Sequence, residues 1–583
     1  MRKKISPWVI GILLSTIFFV LLAAYTPFRY FGSDDTPILR AFMGYEGGTP
    51  ANFHLYIHTA FAWLLYALSL LAPGIAWFSI LQLFLLWFSC VVIVKSMAQC
   101  AVNHRLPIWT GAALGFLFIL AYAALFVCRV SYTTTGALLG ASATIQLLNL
   151  DYQKGTARQI FRGISLSVCL LLCCYLLRQI SVLPPLAFWF ISLLFITFTY
   201  FWNPLLKASP SRSLKPLIAG ALACVLSLGL LTGIRFVEIK VRNMNDFLAW
   251  QQARIEVFDY TSFVEDTTPE TLSEIGWSQA EFALISRWFF MDQNITTEAF
   301  NTLYAAQPAE NATFPNRLNT LGATLASFFT DELQHLSFFL LFPLIMLFCF
   351  VLRRPRKEKN PWIWLTSIVY VLFTFALLGY LASMGRLPLR AVVSVTLPAT
   401  GALLMLSLHA CGQRTKETAP RTLRLFAAAF LLLISFSVFQ TAQSLYSPPK
   451  TDPFEESVTA TISADLDAFA LENPDVLIIY DSSLIWDSRL FPDISEGIPT
   501  NVMFWGGWPA RSPSWHQQLA AFGIDGAAFT ARDFLGENIV VASAVYEPMP
   551  SLLEYISEGC SGDIEWDFYG EYGYIYFFQF DEY

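Results

Sequence analysis

Leu55-Tyr-Ile-His-Thr-Ala-Phe-Ala-Trp-Leu-Leu-Tyr-Ala-Leu-Ser-Leu-Leu-Ala72 is the stretch on which the topology of this chain turns. Counted as a membrane span, it reverses the side of every later loop. At 1.5 Å per residue it reaches roughly 26 Å, short of a hydrocarbon core of about 30 Å. Around it lie apolar runs at 7–25, 75–95, 107–128, 134–150, 162–178, 180–202, 217–236, 336–352, 361–381, 391–409 and 422–444, about 11 in all. The basic loops decide the question. Arg2-Lys3-Lys4, Lys95 to Arg105, Lys154 to Arg162, Lys207 to Lys215, Arg353 to Lys359 and Arg414 to Arg424 all fall on the cytoplasmic side if 55–72 does not cross. The segment is therefore expected to lie along the outer interface as a helix. The 134–150 run is equally short, and there the same rule argues for a span.

Composition agrees. Of the 583 residues 55% are hydrophobic and only 14% charged, against about 25% charged in average proteins. Mean hydropathy is +0.52. The expected class is a polytopic α-helical membrane protein with a cytoplasmic N-terminus. The N-terminal apolar run has no small-residue cleavage site before Pro27, so it reads as a retained first span. The cysteines show no paired spacing that suggests disulfides or zinc.

The sequence divides into a transmembrane region, 1–445, with outer loops at 26–74 and 237–335, and a C-terminal region, 446–583, beginning near Pro448-Pro449. The latter reads as a small extracytoplasmic α/β domain. Phe454 to Leu471 and Ser551 to Glu558 read as helices, Val476 to Tyr480 and Ile539 to Ala542 as strands, and Tyr569 to Phe580 as a hairpin turning near Gly570 or Gly573. In the central loop, Ser278 is expected to cap a helix running toward Phe290.

Chemistry is expected near Phe31-Gly-Ser-Asp-Asp-Thr-Pro-Ile-Leu-Arg40, just past the first span. Carboxylates at a bilayer edge are costly and tend to be functional. Adjacent residues cannot share one face, so one of Asp34 and Asp35 points into a cavity while the other holds the loop or a ligand. Spacing alone favours a turn or a helix cap before Pro37. Arginines at the outer ends of spans run against the positive-inside bias: Arg29, Arg40, Arg129, Arg178, Arg386 and Arg390. Each is either a phosphate ligand or a snorkelling side chain. His54 and His58, four apart, are expected on one helix face, where they suit a substrate hydrogen bond, a plain interfacial position or, with Asp34 or Asp35, a metal site; no metal ligand is assigned. Phe504-Trp-Gly-Gly-Trp-Pro509, with Trp515, suits either a sugar platform or a packed turn.

Gly32-Ser-Asp-Asp-Thr36, Gly44 to Pro50 and His54-Leu-Tyr-Ile-His58, following a basic N-terminus and a first span, resemble the GT-C superfamily of membrane glycosyltransferases. The nearest likeness is to bacterial glucosyl- and mannosyltransferase-like proteins that use polyprenyl-phosphate sugars. The residue match covers about the first 70 positions, and the topology match roughly the first seven spans. The resemblance implies inverting transfer of a sugar from polyprenyl phosphate to a cell-envelope glycan, lipid or protein hydroxyl. Asp34 would be the base and Asp35 the orienting partner, or the reverse, with Arg40, His54, His58, Arg178, Arg386 and Arg390 on the substrate side. Some members need a divalent metal and others do not. No nucleic-acid partner is expected. The competing readings are a lipid or oligosaccharide transporter or flippase, and a non-catalytic membrane scaffold. Transport is disfavoured because the span interiors are nearly free of charge and the halves are unlike.

Overall fold

The computed structural model describes residues 5–31, 34–152, 155–202, 214–260, 263–307, 319–323, 361–383, 388–411, 453–484 and 488–583. Among them, eight helices are long and apolar enough to cross a membrane. They are α1 (Pro7–Tyr25), α4 (Trp77–Asn103), α5 (Ile108–Cys128), α7 (Ala157–Leu177), α8 (Ile180–Tyr200), α9 (Lys215–Val241), α12 (Pro361–Ser383) and α13, of which Leu389–Ala410 is the spanning part. The expected runs at 336–352 and 422–444 lie outside the described residues. The short helices between include α2 (Asp35–Met43), α3 (Thr59–Leu71), α6 (Tyr132–Leu148), α10 (Asn245–Tyr260) and α11 (Gln279–Ile285).

The segment that decides the topology forms α3. Its 13 helical residues extend about 20 Å, too short to cross unaided. The 134–150 run forms α6, every residue of which is buried. It is the axis of the bundle, packed by α4, α7, α8 and α13. Its small residues permit that closeness: a methyl group on Gly140 would come within 2.3 Å of Pro185. Two boundaries shift. Helix α4 continues to Asn103, so Lys95 is not in a loop; it is buried, and its Nζ donates to Gln146 Oε1 at 2.9 Å. Helix α9 likewise runs on to Val241.

A two-residue parallel ladder joins β1 (Arg29–Tyr30) to β2 (Arg129–Val130). It fixes the chain just before the two acids beside the start of α6. The C-terminal region contains α14 (Pro453–Glu472), α15 (Pro513–Ala521), α16 (Pro550–Glu558) and a five-stranded sheet. Its strands are β3 (Leu477–Tyr480), β4 (Val502–Phe504), β5 (Ile539–Ser543), β6 (Ile564–Tyr572) and β7 (Ile575–Glu582), in spatial order β4-β3-β5-β7-β6. Strands β4, β3 and β5 are parallel, and β7 is antiparallel to β5 and β6. The hairpin turns at Gly573, whose φ of +62° suits glycine.

Ser278 caps α11 through the Glu281 N–H, but the helix ends at Ile285. Phe289 and Phe290 instead pack against the sheet region: Phe290 N–H donates to the Trp505 carbonyl at 3.0 Å. The central segment and the C-terminal sheet consequently share one apolar core, with Trp250, Phe289, Phe290 and Phe300 beside Leu477, Trp505 and Phe578. That unit sits on the bundle through Leu490 and Trp508.

Candidate functional site

The two acids diverge where α2 begins. Asp34 precedes the helix, and its Oδ2 accepts from Arg390 Nη1 at 2.7 Å. Its side chain keeps 24% of its surface exposed. Asp35 is fully buried, and its Oδ1 accepts the backbone N–H of Tyr132 at 2.9 Å. Tyr132 is the first residue of α6, so this carboxylate sits at the positive end of that helix. Burial pushes the Asp35 carboxyl up to about 7, opposed mainly by the Tyr132 N–H, while the neighbouring charge of Asp34 raises it further. Asp35 Oδ2 has no hydrogen-bond partner among the described residues. Thus Asp34 faces outward and Asp35 fastens α2 to the bundle axis. Asp35 does not reach the cavity described next.

Asp34 opens onto a cavity of about 1260 Å³ between the bundle and the sheet unit. Among the described residues four arginines line it: Arg40, Arg178, Arg254 and Arg390. They come from α2, the end of α7, α10 and the first turn of α13. The described lining acids are Asp34, Glu46 and Asp259, so among these residues positive charge exceeds negative by one, four against three. Arg178 donates to Thr133 Oγ1 and lies 5.0 Å from the Tyr132 ring centre and 5.8 Å from that of Tyr56. Arg254 is buried, with its Nε donating to Gln251 Oε1 at 3.0 Å and its guanidinium 5.6 Å from the Trp288 ring. Burial lowers the Arg254 affinity for its proton, and the Tyr56 hydroxyl and Asp259 act the other way. An arginine stays charged under either influence.

Arg40 is committed elsewhere. Its two terminal nitrogens donate to Asp467 on α14 at 3.1 and 2.8 Å, and it stacks 3.9 Å over Tyr45. Although it touches the cavity, its geometry is that of a clamp between α2 and the C-terminal unit. Glu46 makes a second tie across the same junction, accepting from Ser514 Oγ at 2.7 Å.

The two histidines brace the start of α3 and the loop before it, although His54 Nε2 is buried with no hydrogen-bond partner among the described residues. His58 does not lie inside a helix: it caps α3, its Nδ1 accepting from Ala60 N–H while Nε2 donates to the Leu231 carbonyl. Both ring nitrogens are therefore occupied. His54 Nδ1 accepts from the N–H groups of Tyr56 and Ile57, and its ring packs 4.2 Å from that of Trp508. Burial, then the nearby Arg235 charge, pushes His54 down to about 3, so it is neutral. Neither lines the cavity, and the expected shared helix face does not exist because helix begins only at Thr59. Arg386 lies outside the described residues.

The aromatic string divides. Trp505 is buried in the shared core, whereas Phe504, Gly507, Trp508 and Pro509 face the cavity, with Trp515. Phe504 and Tyr480 end the parallel strands β4 and β3. The cavity thus lies off the carboxyl ends of parallel strands, a usual location for ligands in such sheets. Sequence pattern does not anticipate strand β4, and it allows the segment of Arg254 and Asp259 acceptor contacts without assigning either residue a catalytic role. A sequence signal for Arg254 exists: it shares a helix face with Trp250 and Val257, both buried, so an arginine sits in an otherwise apolar stripe. Such a residue needs a partner or a role.

No protein-family model matches this chain, and no curated protein sequence matches it.

Proposed function

We propose that this chain is an integral-membrane glycosyltransferase that moves a sugar from a polyprenyl-phosphate carrier to a cell-envelope acceptor on the outer face of the membrane. The observation that supports it best is one cavity onto which Asp34 opens together with Arg178, Arg254 and Arg390, groups drawn from distant parts of the chain. Its wall also contains Leu183, Pro184, Leu377 and Leu381 of the spanning helices α8 and α12. An apolar side for a lipid tail, guanidiniums for a phosphate and aromatic faces for sugars are the three chemistries such a donor presents.

The reaction is a single inverting displacement. The acceptor oxygen bonds to the anomeric carbon as the bond from that carbon to the phosphate oxygen breaks. The electron pair leaves with polyprenyl phosphate, and the acceptor proton passes to Asp34. Arg390 already pairs with Asp34 and is placed to share its charge with the leaving phosphate, so base and leaving group are coupled through one guanidinium. Arg178 and Arg254 add charge that bulk water would screen. Orientation follows from the positive-inside bias, with the N-terminus cytoplasmic and the sheet unit outside.

The test uses the full chain in sealed vesicles with radiolabelled hexosyl polyprenyl phosphate and a mixed envelope acceptor extract. The expected result is labelled acceptor together with stoichiometric polyprenyl phosphate. Movement of intact donor between leaflets with no cleavage would replace this reading by transport.

A further inference from the structure

At the end of the bundle away from the cavity, three side chains from two helices come together. Cys100 and His104 lie four residues apart at the C-terminal end of α4, and His409 lies in the last turn of α13. The Cys100 sulfur and one nitrogen from each imidazole all lie within 4.8 Å of one another. His104 Nε2 and His409 Nδ1 are 2.8 Å apart. On α13, Arg390 and His409 are separated by about 28 Å of helix, so this cluster is distinct from the proposed catalytic cavity.

We propose that Cys100, His104 and His409 form a binding site for a borderline-soft divalent transition ion, zinc foremost. The donor set, one thiol and two imidazoles, is the type zinc takes. With bonds of about 2.0–2.3 Å, a tetrahedral ion holds its ligand atoms about 3.3–3.6 Å apart. Movements of about an ångström by side chains at helix ends would meet that requirement.

The outer partner of one ligand is already in place. His409 Nε2 donates to the Leu148 carbonyl at 2.9 Å, which leaves Nδ1 as the lone-pair nitrogen facing the other two groups. Backbone carbonyls commonly fix metal-bound imidazoles in this way. The next residue, Asn149, is 4% exposed, and its Oδ1 has no hydrogen-bond partner among the described residues. Its own carbonyl accepts from Asn103 Nδ2 of α4 at 3.1 Å, which keeps it at the same corner. That oxygen or a water would complete four ligands.

Binding would displace the Cys100 thiol proton to solvent. The proton between the rings would move from His104 Nε2 to its Nδ1. No electron is transferred. The ion would join α4 to α13 and so set the axial position of the helix that carries Arg390.

The experiment uses the full-length protein in detergent, stripped with a chelator and titrated with Co²⁺, then with Zn²⁺ as competitor. One equivalent of Co²⁺ should give a near-ultraviolet thiolate-to-cobalt band that Zn²⁺ abolishes. Cys100→Ser should lose the band, and His409→Gln should weaken binding at least tenfold. Zn²⁺ should raise the thermal midpoint of the unsubstituted protein and not that of Cys100→Ser. Because His409 is buried, His104→Gln at a half-exposed position serves as the second variant, with the same tenfold loss expected. Absence of the band in the unsubstituted protein, or binding by Cys100→Ser and His104→Gln as tight as that of the unsubstituted protein, overturns the site.

Discussion

Replacing Asp35 by Asn separates the roles of the two adjacent acids and tests the burial on which the separation rests. Asp35 is fully buried, and burial is the largest cause raising its carboxyl from 3.8 to about 7. At about 1.4 kcal/mol per pH unit, that rise corresponds to about 4 kcal/mol. The folded state holds a proton there that the unfolded chain releases above about pH 4. Stability therefore falls as pH rises through the window from 3.8 to about 7, then levels off. The amide in the Asp35→Asn variant carries no charge at any pH, and its oxygen can still accept the Tyr132 N–H. Asp35→Asn should match the unsubstituted protein near pH 4 and exceed it in stability by up to about 4 kcal/mol at pH 8. The assay is the thermal midpoint of both proteins in detergent across that range, followed by tryptophan fluorescence. The variant should also keep most of its transfer activity, since Asp35 is turned away from the cavity. A stability difference that does not grow with pH would refute the burial argument. Loss of transfer in a folded Asp35→Asn protein would mean that Asp35, not Asp34, is the base.

Removing one partner of the Arg40–Asp467 clamp, whose side chains are 11% and 18% exposed, should cost about 3–5 kcal/mol. Arg40→Met combined with Asp467→Leu should recover much of that loss, as judged by thermal midpoint and by resistance of the C-terminal unit to proteolysis. Arg254→Lys keeps the charge but loses the planar fork that holds Gln251 and faces Trp288, and should lower kcat/KM for the lipid donor about 10–100-fold. Trp508→Ala removes a ring from the cavity wall and should raise KM for the acceptor about tenfold, near 1.4 kcal/mol. Initial-rate measurements in vesicles check both.

Eight of the long apolar helices are legible in the sequence because each run carries its own length and hydropathy. Thr59–Leu71 is recognisable as an apolar helix shorter than a span for the same reason. Boundaries are less so: Lys95 reads as the start of a basic loop, yet Gln146 on another helix provides a buried partner that lets α4 continue. Helices α14 and α16 and the strands β3, β5 and β7 follow local pattern, whereas α15 is not anticipated and the three-residue β4 is strand only through its pairing with β3. In the site, the divergence of Asp34 and Asp35 follows from their adjacency, but which one faces the cavity depends on the Tyr132 N–H, 97 positions away. His54 and His58 have the spacing of a shared helix face, but one caps a helix and the other braces a loop. Arg254 escapes a sequence assignment because nothing local ties its segment to the acids, and packing is what carries it to the cavity.

The most direct measurement is the rate of polyprenyl-phosphate release by Asp34→Asn in the same vesicles, with folding confirmed by an unchanged thermal melt. Loss of a general base predicts a fall of about 10²–10⁴-fold with donor binding retained. Release at the unsubstituted rate would contradict the assignment of Asp34, and with it the account of the cavity as a catalytic site.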